Sequence, residues 1–90
     1  MFDWFKRLCG EGKFRIEGET TDGRGFVLKF SYIGCPNSEL EVLGSAAGNM
    51  LVEGMRIRWM RIISFYGSGI EFNPTYEKRT EREIYSYLKG

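Results

Sequence analysis

The sequence predicts an α+β fold: a strongly bent antiparallel sheet or small open barrel of four to six strands, with a short N-terminal helix and a C-terminal helix. Three observations carry this. Apolar residues alternate with polar ones from Lys13 to Tyr32 and again from Met55 to Tyr66, the period of strands with one dry face. Apolar steps of three and four mark 1–8 and 77–88, the period of helices. Within the first alternating run stands Asp22-Gly23, a pair suited to a tight hairpin turn that needs positive φ.

The first helix places Met1, Phe2, Phe5 and Leu8 on one side, with Asp3 in its first turn, Lys6 and Arg7 in its last and Gly10 as the stop. It is expected to dock on the protein's own core; as a membrane-surface anchor its few charges, Asp3 against Lys6 and Arg7, are weak. Phe14 and Ile16 then alternate with Arg15 and Glu17, and Phe26, Leu28, Phe30 and Tyr32 alternate with Val27, Lys29 and Ser31. The segment 34–38 reads as a turn. Glu39 to Leu43 is expected as a third strand, GSAAGN as a loop, Met50 to Val52 as a short fourth strand, and Glu53-Gly54 as a reversal.

The next strand sets Met55, Ile57, Trp59, Ile63 and Phe65 on one face and Arg56, Arg58, Ser64 and Tyr66 on the other. Arg61 breaks the alternation, so a β-bulge is expected near Met60 that turns Arg61 outward. Ile70 to Phe72 follows as a short strand. Asn73-Pro74 suits a helix entry, and Thr80-x-x-Glu83 offers a second start by the capping-box pattern. Ile84, Tyr87 and Leu88 form the stripe of that helix, with Tyr76 added if it begins early. The expected core is Phe14, Ile16, Phe26, Leu28, Phe30, Leu40, Val42, Ile57, Trp59, Ile63 and Phe65.

Ninety residues make one domain, 1–90, burying about 60–65% of the surface its unfolded chain exposes. With 42% apolar and 28% charged residues the chain falls in the folded, globular class. The longest uncharged run, Val42 to Val52, holds three glycines, a serine and an asparagine and is too short and polar to span a membrane. Charges at Asp3, Lys6 and Arg7 stand where a signal peptide would be apolar, so a cytoplasmic location is expected. There is no histidine, and Cys9 and Cys35 form no C-x-x-C pair, so no metal site and no cofactor are expected. A Cys9–Cys35 disulfide would be open to an exported chain; otherwise both are small buried or half-buried thiols.

Asp22-Gly23-Arg24-Gly25-Phe26 after an alternating strand resembles the first motif of Sm-like RNA-binding barrels, where an N-terminal helix also precedes the barrel. The likeness covers about twenty residues. Asn49 falls much later than that family's loop asparagine, and Glu53-Gly54 stands where its second motif has Arg-Gly. No site residue is carried over and no family is assigned.

Without histidine, a serine or cysteine nucleophile lacks its usual base, and no catalytic residue is assigned. The best functional candidates are the basic residues threaded through the aromatic run 53–69: Arg56, Arg58, Arg61 and Tyr66, with Lys29 and Tyr32. Two readings compete for them. In one, 39–53 pairs antiparallel with 55–70, and Glu39, Glu41 and Glu53 neutralise the arginines as cross-strand ion pairs. In the other the arginines are free and form a curved basic and aromatic surface. Such a surface suits a protein partner, whose hot spots favour Arg, Tyr, Trp and Met, or a single-stranded nucleic acid held by phosphate contacts and stacking. A net charge of +1 provides no bulk field for a polyanion and favours the protein partner. The expected function is therefore a small non-catalytic binding module, an adaptor or inhibitor, with a homodimer through the N-terminal helix or an open sheet edge also within reach. Nucleic-acid binding ranks second. Third is a small anion or nucleotide held by glycine-rich loops, chiefly Gly44, Ser45, Gly48 and Asn49.

Overall fold

The computed structural model describes residues 11–34, 36–67, 69–73 and 76–89. The helix expected over 1–8, both cysteines and Pro74 lie outside the described residues. Five strands and two helices follow in order: β1 (Glu11–Thr20), β2 (Gly25–Ile33), α1 (Glu39–Val52), β3 (Ile57–Gly67), β4 (Ile70–Phe72), β5 (Arg79–Thr80) and α2 (Glu81–Lys89). The strands form one antiparallel sheet in the order β2-β1-β3-β4, with β5 paired beside β3, and the sheet does not close into a barrel. Among the described residues no helix is long and apolar enough to cross a membrane.

The β1–β2 hairpin forms where the alternation predicts it, but through a longer connection than Asp22-Gly23 alone. Gly23 N–H bonds the Thr20 carbonyl at 3.0 Å, Thr20 N–H bonds the Arg24 carbonyl at 2.8 Å, and Gly23 takes φ +89°. This is a three-residue loop closed by a glycine in the left-handed region. The extra residue is required by the pattern. With Asp22 and Gly23 as the whole loop, Phe14 would face Ser31; with three residues Phe14 faces Phe30 and Ile16 faces Leu28.

Residues 39–52 correct the sequence reading: one 14-residue helix replaces the expected strand, GSAAGN loop and strand. Its buried residues, Glu39, Val42, Leu43, Gly44, Ala46, Ala47 and Met50, recur mostly at three and four and face the sheet and α2. Gly44, read as a loop former, sits at a close helix crossing, where an added Cβ would lie 2.7 Å from a Leu88 methyl of α2. Each interior glycine costs a helix about 0.5–1 kcal/mol, so burial of the apolar stripe outweighs local preference here. The helix ends in paired reverse bonds, Gly54 N–H to the Leu51 carbonyl (2.9 Å) and Met55 N–H to the Met50 carbonyl (2.9 Å), a Schellman motif at the expected reversal.

β3 is bent at two places. Its pairing with β1 shifts between Arg15 and Ile16 and between Glu19 and Thr20, so that Ile63 and Arg58 each lack an opposite residue. These irregularities flank Met60 and turn Arg61 outward, as expected. They also exchange core residues. Met60 and Ile62 are buried in place of Trp59 and Ile63, while Phe14, Ile16, Val42, Ile57 and Phe65 are buried as predicted. Phe26, Leu28, Phe30 and Leu40 are partly buried against that core. Phe65 stacks between Phe14 and Phe72, with ring centroids 5.2 and 4.7 Å apart.

The last helix starts at Glu81, later than the Asn73-Pro74 entry, and uses the capping box instead. Glu83 N–H bonds the Thr80 hydroxyl at 3.2 Å and Thr80 N–H bonds Glu83 Oε1 at 3.1 Å. Arg79 holds this end to α1 by donating to the buried Glu39 carboxylate at 2.8 Å. Tyr76, ahead of the helix, packs on the core; burial first, and then the Glu39 charge, pushes its hydroxyl up to about 12.

Candidate binding surface

Both helices contribute to the core on one face of the sheet, reached by Phe14 and Ile16 of β1 and by Ile57, Met60, Ile62 and Phe65 of β3. Among the described residues no helix packs on the other face. Side chains alternate, so that face receives Lys13, Arg15, Glu17 and Glu19 from β1, Val27, Lys29 and Ser31 from β2, Trp59, Arg61, Ser64 and Tyr66 from β3 and Glu71 from β4.

At the end of this face near the hairpin loop, the arginines are neutralised. Arg61 stands opposite Glu17 and bonds it at 2.5 Å; Arg58 lies 3.7 Å from Glu19 and donates to the Thr21 carbonyl at 3.1 Å. Arg56, just before β3, grips Glu81 of α2 at 2.6 Å, and that hydrogen bond, with the Glu81 charge behind it, raises the guanidinium pKa. Lys78 covers the Trp59 ring, its ammonium 4.2 Å from the centroid. The arginines are thus ion-paired, but not by the residues expected. Glu39 is buried against Arg79, Glu41 accepts from the Asn37 N–H at 2.7 Å, and Glu53 caps the C-terminus of α1. The reason is α1 itself: once 39–52 is a helix, no strand carrying those glutamates lies beside β3.

The opposite end is different. Arg15 faces Lys29 on one side and Ser64 on the other; Lys13 faces Ser31 and Tyr66; Tyr66 faces Glu71. Lys13, Arg15 and Lys29 form no ion pair among the described residues. With Phe14, Ser64, Phe65, Tyr66 and Glu71 they line a hollow of about 250 Å³. Half of the Tyr66 surface is exposed there. Two cations directly opposite one another on neighbouring strands repel; Glu71 lines the same hollow and Glu17 follows Arg15 on the same face of β1, but among the described residues neither is ion-paired to them.

Of the residues singled out from sequence, Lys29 and Tyr66 meet at this basic hollow, whereas Arg56, Arg58 and Arg61 belong to the paired end. Tyr32 points to the helical face, where partial burial, then the Glu41 charge and hydrogen bond, raises its pKa. Gly44, Ser45, Gly48 and Asn49 lie inside α1 and form no glycine loop. Lys13 and Arg15 were missed. The signal that would find them is the hairpin register: once Phe14 is set against Phe30, Arg15 must face Lys29. No protein-family model, curated protein or solved structure matches the chain.

Proposed function

We propose that the protein is a small non-catalytic binding module whose working surface is the helix-free face of the sheet, and that its partner is a protein presenting carboxylates to Lys13, Arg15 and Lys29. The observation that carries this reading is the Arg15–Lys29 opposition. The chain ion-pairs all three arginines of 56–61, yet leaves two cations facing each other with no ion pair among the described residues. That arrangement costs folding stability and becomes favourable when an anionic group arrives between them. The half-exposed Tyr66 ring beside it supplies the rigid, amphipathic contact that interfaces favour.

A protein partner fits better than a nucleic acid. Glu17, Glu19 and Glu71 interrupt the positive surface that a continuous phosphate backbone would need, whereas a single carboxylate fits between Arg15 and Lys29, and Lys78 covers the Trp59 ring that could have stacked a base. The test is fluorescence anisotropy of a labelled oligoglutamate peptide and a labelled single-stranded oligonucleotide at about 50 and 200 mM salt. The peptide should bind, and its affinity should fall at least about tenfold in Arg15→Glu while staying within about twofold in Arg58→Glu. Tighter binding of the oligonucleotide, lost on changing Arg58 or Arg61, would reverse the assignment.

A further inference from the structure

The strand that carries Lys29 is also the edge of the sheet. β2 pairs with β1 over nine residues without a register shift, and among the described residues no strand occupies its outer side. A main chain of that length leaves alternate N–H and C=O groups without a strand partner. Natural edges are usually blunted by shortness, bulges, proline or charge. The other side of this sheet follows that rule, since β4 has three residues, β5 has two, and both pair with the twice-shifted β3. β2 has no proline and no shift, and its one charge is Lys29.

The side chains of β2 describe what would fit beside it. Towards the helices, Phe26, Leu28, Phe30 and Tyr32 are only partly buried, so an apolar row on an added strand would cover them. Towards the open face, Val27 is 63% exposed and Lys29 stands with Arg15. A matching strand therefore alternates apolar residues on one side with an acidic residue opposite Lys29 on the other. We propose that β2 accepts an extended acidic segment of a partner protein as a further strand of the sheet. The inference rests on the acidic-partner reading above for the sign of the partner and adds the way it docks.

A second copy of the chain is the wrong occupant. Lys29 is the middle residue of Gly25–Ile33, so full-length antiparallel pairing of two β2 strands would set Lys29 against Lys29. With Arg15 of each copy beside them, four cations would stand in one row across the joined sheet.

The experiment uses the full chain, isotopically labelled, with a synthetic nine-residue peptide alternating valine and glutamate, and a control with lysine in place of glutamate. Backbone NMR and hydrogen exchange should show alternate β2 amides gaining at least about tenfold protection with the glutamate peptide. Lys29→Glu should lose that binding at least about tenfold and gain it for the lysine peptide, a swap that a misfolded variant would not give. Binding that perturbs Lys13, Arg15 and Tyr66 without protecting any β2 amide would overturn the edge mode and leave the acidic-partner reading standing. Equal protection by both peptides would overturn the acidic-partner reading. No binding at millimolar peptide, or protection of β2 that instead grows with protein concentration and accompanies a dimer in sedimentation, would overturn the proposal.

Discussion

The two ends of the open sheet face share β1 and β3, yet they treat positive charge in opposite ways. Near the hairpin loop each arginine meets a glutamate on a neighbouring element: Arg61 with Glu17, Arg58 with Glu19 and Arg56 with Glu81. Two residues further back along β1 from Glu17, Arg15 meets Lys29. The contrast shows that density of basic and aromatic residues in sequence is a poor guide to free charge. The conspicuous run, 53–69, is largely neutralised, whereas the free charge sits on an ordinary-looking hairpin, because strand register decides which charges meet.

Three substitutions would break or sharpen this contrast. The largest effect is expected from Phe65→Ala, which removes the ring stacked between Phe14 and Phe72 beneath the basic hollow. Urea unfolding should show a loss of about 3–5 kcal/mol. Next, Glu17→Gln would make the paired end resemble the basic end by releasing the half-buried Arg61. It should cost about 1 kcal/mol and tighten binding of the valine–glutamate peptide about twofold. The smallest and most diagnostic change is Lys29→Glu. It converts an opposed pair of cations into a cross-strand ion pair with Arg15, so stability should rise by about 0.2–1 kcal/mol while acidic-peptide binding collapses. That gain should shrink when unfolding is repeated at about 1 M salt. A fall in stability would mean that the apparent repulsion is already relieved in the folded protein.

Much of the sheet was legible in the chain. Its hairpin, the bend near Met60 and the outward turn of Arg61 follow from period-two alternation and from one residue that violates it. The helix over 39–52 was not. Leu40 and Val42 alternate with Glu39 and Glu41 over too few residues to separate period two from period 3.6, and Ala46, Ala47 and Gly44 carry too little apolar bulk to mark a stripe. What makes them helical is tertiary: Gly44 is where Leu88 of α2 closes on α1. The ion-pair partners are hidden for the same reason: Glu39 and Glu41 stand on α1 and not on a strand beside β3. The basic hollow combines β1, β2, β3 and β4. Finding it requires the registers of three strand pairings, and two of the three residue classes that define it, an arginine and a lysine on a hairpin, are unremarkable in any local window.

The position of β1 has a consequence for biosynthesis. It is central in the sheet, but the neighbour on its second side, β3, ends at Gly67, roughly thirty residues after β2 ends at Ile33. A hairpin closes in about 1–10 µs, whereas a ribosome adding about 5–20 residues per second needs about 2–7 s to supply that stretch. For those seconds the emerging hairpin presents the row Phe14, Ile16, Phe26, Leu28 and Phe30 without the α1 and β3 residues that later cover it. The nascent chain is therefore at its most adhesive just before the sheet is completed, and slowing translation between Gly34 and Ile57 should lower the yield of folded protein.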